Sequence, residues 1–103
     1  YVARSENQIS GYVVYYTAAD EGHVMNVVTN PVVRRRGIAK KLLGFAHDHF
    51  KRAGAKTSYL ELRRSNYPAY RLYKKNGYVY VGIRKRYYTD NDEDAILMRK
   101  QLG

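Results

Sequence analysis

The sequence contains no cysteine, only 2 prolines, and 9 Asp and Glu against 19 Lys and Arg. Each shortage excludes something. Without cysteine there is no disulfide scaffold and no sign of an oxidising compartment. No apolar run approaches the roughly 20 residues that span a bilayer, and no charged-then-apolar leader with a small-residue cleavage site opens the chain. The expectation is a soluble, cytoplasmic protein with no membrane part. There is also no repeat, low-complexity segment or internal linker. The chain opens at Tyr1 rather than Met, directly in a strand-like segment. Residues 1–103 are therefore expected to form a single domain that lacks an upstream part.

What is present suits a folded domain. The 103 residues are 45% hydrophobic, interleaved with charge, which is a globular rather than a disordered composition. A chain of this size supports one core and buries roughly two-thirds of its unfolded surface. The scarcity of acids leaves a net charge of +10, which favours anionic partners: nucleic acid, a ribosome surface or the phosphates of a cofactor. A well-solvated basic surface is the plainer reading.

Residues 8–18 and 23–29 are short runs of β-branched and aromatic residues and read as strands. The intervening Ala19-Asp20-Glu21-Gly22 has the chemistry of a hairpin turn, and Tyr1 to Ala3 offers a further strand. From Gly37 to Ala53, Ile38, Leu42, Leu43, Ala46, Phe50 and Ala53 recur at helical spacing, with Lys40, Lys41, His47, Asp48 and Lys51 on the other faces. Gly54 stops this helix. Residues 57–63 alternate as a strand, 68–76 form a short helix that begins with proline, 78–88 a long strand and 95–102 a final strand. The order predicts an α/β architecture, a mixed sheet of five to six strands with helices packed on it.

Two stretches carry chemistry. Arg34-Arg35-Arg36-Gly37-Ile38-Ala39 lies where a strand gives way to an amphipathic helix. Unpaired N–H groups and the positive end of the helix dipole collect there, and Gly37 admits close approach of an anion to the backbone. The spacing matches neither a nucleoside-triphosphate loop nor a dinucleotide-binding turn. The second stretch is Leu60-Glu61-Leu62-Arg63-Arg64-Ser65-Asn66, followed by Ala69, Leu72, Tyr73 and Gly77-Tyr78. Strand alternation puts Tyr59, Glu61 and Arg63 on one face, so Glu61 is a carboxylate on a rigid element, as a general base requires. A structural ion pair between Glu61 and Arg63 is the alternative. His47 and His49 are two apart on a helix and point to different faces, so no metal site is expected.

These stretches, with Arg86-Tyr87-Tyr88, Glu93-Asp94-Ala95 and Met98, resemble the GNAT superfamily and, within it, the RimI-like amino-terminal acetyltransferases. Arg34 to Ala39 is similar to the superfamily's [Gln/Arg]-x-x-Gly-x-[Gly/Ala] loop, and Leu60 to Gly77 to the branch's Leu-Glu-Val-Arg-x-Ser-Asn, Ala, Leu-Tyr, Gly-Phe pattern. Tyr78 stands where that pattern has phenylalanine. The resemblance implies the GNAT fold without the strand and two helices that usually come first, and acetyl-CoA as cofactor with CoA as product. It implies that the backbone of Val27, Val28 and Thr29 pairs with the pantetheine arm, and that Arg34, Arg35, Arg36, Gly37, Ile38, Ala39 and Lys40 surround the pyrophosphate. Asn66 would contact the cofactor. Glu61 stands where the family carries its general base, Tyr73 where it carries the acid that protonates the departing thiolate, and Tyr87 and Tyr88 would bind the substrate peptide.

Direct attack on a thioester needs a base, a donor for the developing oxyanion and an acid for the leaving sulfur. Glu61, a backbone N–H near Val27 or Val28, and Tyr73 supply these. His23 could share the base role through water, although a lone histidine at a strand start also serves structure. Neighbouring strand residues face opposite sides, so at most one of Tyr87 and Tyr88 is expected to point into the site. The implied substrate is a protein or peptide α-amine. Lysine acetylation on the same fold, and a non-catalytic basic module that binds nucleic acid or the ribosome, are the rival readings.

Overall fold

The structure, a computed structural model, describes residues 2–5, 8–29 and 37–103, with side chains from residue 11 onward. The loop arginines Arg34, Arg35 and Arg36 lie outside the described residues. Among the described residues, two helices and six strands follow in the order β1 (Val2–Ser5), β2 (Gln8–Ala18), β3 (Glu21–Thr29), α1 (Ile38–Arg52), β4 (Thr57–Arg63), α2 (Tyr67–Lys75), β5 (Val79–Tyr88) and β6 (Glu93–Gln101). Among the described residues they form one sheet in the order β1-β2-β3-β4-β6-β5. The β3–β4 pair is parallel and the other four pairs are antiparallel. The parallel pair requires the crossover that α1 provides.

The β2–β3 turn is tighter than the composition implied. Ala18 pairs with Glu21, so the turn is Ala19-Asp20 alone, with Ala19 in the left-handed region at φ 53°. Two-residue hairpin turns of this kind match the twist of the flanking strands and need positive φ.

Both helices end in the same way. The N–H of Ala55 bonds the carbonyl of Phe50 while that of Gly54 bonds Lys51, and Tyr78 to Tyr73 with Gly77 to Lys74 repeats the arrangement. The residue beyond each cap must be left-handed, and Gly54 (φ 86°) and Gly77 (φ 95°) take it without a Cβ clash. The side chain of Asn66 starts α2 by accepting from the N–H of Ala69 at 3.2 Å.

Helix α1 packs on the face of the sheet that carries Val13, Tyr15, Gly22 and Val24. The approach is close enough that a Cβ at Gly22 would lie 2.4 Å from the Phe50 ring, and Tyr15 meets the same ring edge-on at 5.3 Å. The core is built from Val13, Val24, Leu42, Leu43, Ala46, Phe50, Leu60, Leu62, Tyr73, Tyr78 and Met98.

His47 does not occupy the polar face of α1 assigned to it from the spacing. It is buried, and Ala53 is exposed. Positions 43, 46, 47 and 50 fall on one helical stripe, so burial of 47 follows from geometry once its polarity is matched. The match is the hydroxyl of Tyr78, 2.8 Å from His47 Nε2 and 2.7 Å from Ser58 Oγ. The rings of His47 and Tyr73 both contact the Tyr78 ring, at 5.6 and 5.8 Å. One side chain thus joins α1, β4 and α2.

Truncating this node to Tyr78→Phe strands two buried polar groups. It is expected to lower the unfolding free energy by about 1–3 kcal/mol, read from urea titration. His47 adds a pH dependence: burial first, then the charges of Lys100 and Lys51, lower its pKa from 6.5 to about 4. The unfolded chain therefore takes up this proton more readily. The stability that neutral His47 contributes is complete above pH 6.5 and is lost as pH falls towards 4. Tm should decline through that window, and His47→Asn should flatten that part of the profile.

Candidate active site

The site begins where two parallel strands part. β3 and β4 pair through Glu21↔Thr57, Gly22↔Ser58, His23↔Tyr59 and Val24↔Leu60, and then stop. From there β3 continues along β2, with Asn26↔Val14 through Thr29↔Gly11. β4 continues along β6, with Glu61↔Leu97 through Arg63↔Ala95. The departure coincides with a bulge: Asn26 pairs with Val14 and Val24 with Tyr15, which leaves Met25 as an extra residue in β3. Bulges bend a strand and sharpen its twist. Beyond Leu60, no strand among the described residues pairs with the facing edges of β3 and β4. Val27, Val28 and Thr29 therefore border a notch at the carboxyl ends of two parallel strands, where open α/β sheets place ligands.

The start of α1 belongs to the same end of the sheet. Gly37 is left-handed at φ 70°, the first helical bond runs from Lys41 N to the Gly37 carbonyl, and the first turn holds no acidic residue. The N–H groups of Ile38, Ala39 and Lys40 precede that bond and remain available to an anion.

Beside the notch, on the face of the sheet away from α1, lies a cavity of about 550 Å³. Glu61 and His23 line it, with Tyr87 and Tyr88 from the end of β5. Glu61 is partly buried and pairs with Arg84 Nη1 at 3.3 Å, while interaction with its carboxylate holds the Tyr87 phenol above its ordinary pKa. The alternative pairing of Glu61 with Arg63 is not the one found: Arg63 turns to Asp90 (3.0 Å) and Glu93 (3.6 Å).

His23 Nε2 meets Glu21 Oε1 at 3.1 Å. Its ring is stacked on Tyr16 at 4.7 Å, with 5° between the planes, and on Tyr59 at 5.7 Å. Tyr16, His23 and Tyr59 occupy one register row across β2, β3 and β4, so the stack follows from strand pairing. Tyr16, which the sequence left without a role, and Glu21 and Arg84 all line the cavity.

Tyr87 and Tyr88 both line it too, against the alternation of a regular strand. The β5–β6 register is irregular between Arg84 and Tyr88, and Arg86 is left-handed at φ 51°. Its N–H is fastened to Asp94 Oδ1 at 3.0 Å. This kink turns the two rings to the same side, edge to face at 5.2 Å.

The loop after Tyr88 is tied to the end of β4. Glu93 Oε1 accepts the Ser65 N–H at 2.7 Å. Hydrogen bonds from Ser65, then from the Asn91 amide, and lastly the charge of Arg63 hold the Glu93 carboxyl down at about 2.

Tyr73 stands apart from the residues lining the cavity. It is buried on α2, and burial, then the neighbouring Tyr88, push its pKa up. Asn66 is observed as the cap of α2. His47 and His49 have separate surroundings, Tyr78 and Tyr15 respectively.

A parallel pair splayed beyond a bulge, a helix start at its end and a carboxylate at its mouth lie together at one end of the sheet, and the family to which this arrangement belongs can be stated. The chain belongs to the Acetyltransferase (GNAT) family, whose model matches residues 1–78. The Escherichia coli (strain K12) [ribosomal protein bS18]-alanine N-acetyltransferase is 33% identical over 93 residues, covering 88% of this chain and 63% of its own length. The crystal structure of the ribosomal-protein-S18-alanine N-acetyltransferase from Escherichia coli superposes with a TM-score of 0.85 at 30% identity, over 97% of this chain and 66% of that one. A Bacillus anthracis acetyltransferase structure in complex with acetyl coenzyme A gives a TM-score of 0.90 at 25% identity, over 99% of this chain and 61% of that one. The chain thus spans less than two thirds of the length of these proteins.

Proposed function

We propose that this chain is the acetyl-CoA-binding and catalytic part of a cytoplasmic enzyme that transfers acetyl to the α-amine of a protein or peptide amino terminus, releasing CoA. The observation that carries the reading is Glu61: a carboxylate on a rigid strand, one residue beyond the point where β3 and β4 separate, in a cavity walled by tyrosines. The naming of the E. coli relative for alanine N-acetylation supports it.

In this reading the edge of Val27, Val28 and Thr29 pairs with the amide-bearing arm of acetyl-CoA. The N–H groups of Gly37, Ile38, Ala39 and Lys40 face its pyrophosphate, and Arg34, Arg35 and Arg36 add charge. Asn66 stands beside the cofactor. The amine nitrogen attacks the thioester carbonyl and gives up its proton to Glu61, directly or through water, with His23 sharing that role. The oxyanion is met by a backbone N–H near Val27 or Val28. As the carbon–sulfur bond breaks, the sulfur takes a proton from Tyr73, whose burial keeps the phenol protonated through the neutral range. Tyr87 and Tyr88 hold the peptide.

An α-amine has a pKa near 8 and lysine near 10.4, so the neutral fraction at pH 7 differs by roughly two orders of magnitude. A carboxylate base with little further help suffices for the former. Contact with a ribosome or nucleic acid is part of the proposal. Helices α1 and α2 expose Lys40, Lys41, Lys51, Arg52, Arg71, Lys74 and Lys75 against Asp48 alone, and binding through them should weaken steeply with salt.

The test is turnover by the full-length protein. A peptide with a free amino terminus should be acetylated and one with only a lysine amine should not; the reverse would select the lysine reading. Binding of RNA without CoA affinity would select the non-catalytic one. Glu61→Gln should lower kcat by ~100-fold or more and leave acetyl-CoA affinity nearly unchanged, and Tyr73→Phe should also lower kcat. Unchanged turnover in Glu61→Gln would transfer the base role to His23 or water.

A further inference from the structure

Arg63 ends β4, two residues beyond Glu61 and on the same face. Its guanidinium lies over the Tyr88 ring, 4.2 Å from the centroid. The same group makes two hydrogen bonds to the Asp90 carboxylate, at 3.1 and 3.0 Å, and a third to Asn91 Oδ1 at 3.3 Å. Glu93 is 3.6 Å away. A planar fork can bond a carboxylate twice and present its face to a ring at once, which a lysine ammonium cannot do.

The segment it grips has its own bonds between Asn91 and Glu93 and is fastened to Ser65 and Arg86 as well. Residues 90–94 contain four carboxylates in five positions, and Arg86 and Asp92 sit in the left-handed region at φ 51° and 54°. That backbone is costly for residues with a Cβ and persists only when the surroundings fix it. Among the described residues, Arg63 is the cation that touches both this segment and a tyrosine of the cavity wall. Arg64, beside it, is a natural contrast: it pairs with Asp94 at 3.3 Å and is largely exposed.

We propose that Arg63 is a positioning residue for the acceptor side of the site: by clamping the β5–β6 turn and stacking on Tyr88, it sets the tyrosine wall against which the acceptor peptide lies. The inference rests on the acetyltransferase reading for its substrate, but the clamp itself can be read without turnover.

Arg63→Met, Arg63→Lys and Arg64→Met would be compared in the full-length protein. Arg63→Met is expected to raise the KM for an acceptor peptide by about tenfold with kcat changed far less and acetyl-CoA affinity unchanged. Arg63→Lys should recover only part of the loss, and Arg64→Met should behave as the unsubstituted protein. In NMR spectra, Arg63→Met should shift the Tyr88 ring resonances and speed amide exchange at Ser65 and Arg86. Equal peptide KM effects from Arg63→Met and Arg64→Met, an effect confined to acetyl-CoA, or full rescue by lysine would overturn the proposal. If the unsubstituted protein acetylates no amine, the acetyltransferase reading fails. The clamp is then judged by Tyr88 alone: resonances that move with Arg63 and not Arg64 uphold it, and resonances that move with neither or with both reject it.

Discussion

The notch and the residues around it depend on a limit to one set of backbone hydrogen bonds. β3 and β4 share four register pairs and then separate, because the extra residue at Met25 bends β3 along β2 while β4 stays with β6. Buried peptide groups are almost always paired, and an edge left bare inside a sheet is an invitation to a ligand that carries amides of its own. The helix start after β3 supplies N–H groups for charge, and the first strand position beyond the separation on β4 is Glu61. The bare edge and the carboxylate beside it are thus consequences of one parting.

Two polar constellations hold the elements around it. The first is buried: Ser58, Tyr78 and His47 satisfy one another across β4, the end of α2 and α1. Tyr78 occupies a position where the family pattern has phenylalanine. The extra hydroxyl is compatible with the core because His47 and Ser58 stand ready to bond it, so the three residues form a unit rather than a conservative exchange. The second is open to solvent, where Arg63 and the Ser65 N–H meet Asp90 and Glu93. Charge pairs in water contribute little stability each, and their effect here is geometric.

The element types were legible in the sequence, since periods of 2 and 3.6 carry through the strands and through α1. The position of Glu61 on a rigid strand was legible for the same reason. The rest turned on register. Taking Ala19 to Gly22 as the turn hides the pairing of Tyr16 with His23; counting outward from Ala19-Asp20 alone brings them opposite. Tyr87 and Tyr88 share a side because Arg86 adopts a backbone that alternation cannot anticipate. The partner of Glu61 is Arg84 rather than Arg63, as the latter is drawn away by carboxylates nearly thirty residues along the chain. His47 looked solvent-facing by its polarity, and only the hydroxyl of Tyr78 explains its burial.

The four-pair seam also sets an order of assembly. β2 and β3 close through a two-residue turn, and β5 and β6 are joined by a short loop, whereas the seam must bring Glu21 to Thr57 across the whole of α1. Loop-closure entropy and the slow formation of parallel pairings place such a contact late. The β2–β3 and β5–β6 hairpins are therefore the local units, and the notch takes shape only when β4 joins both, β3 across α1 and β6 across α2 and β5.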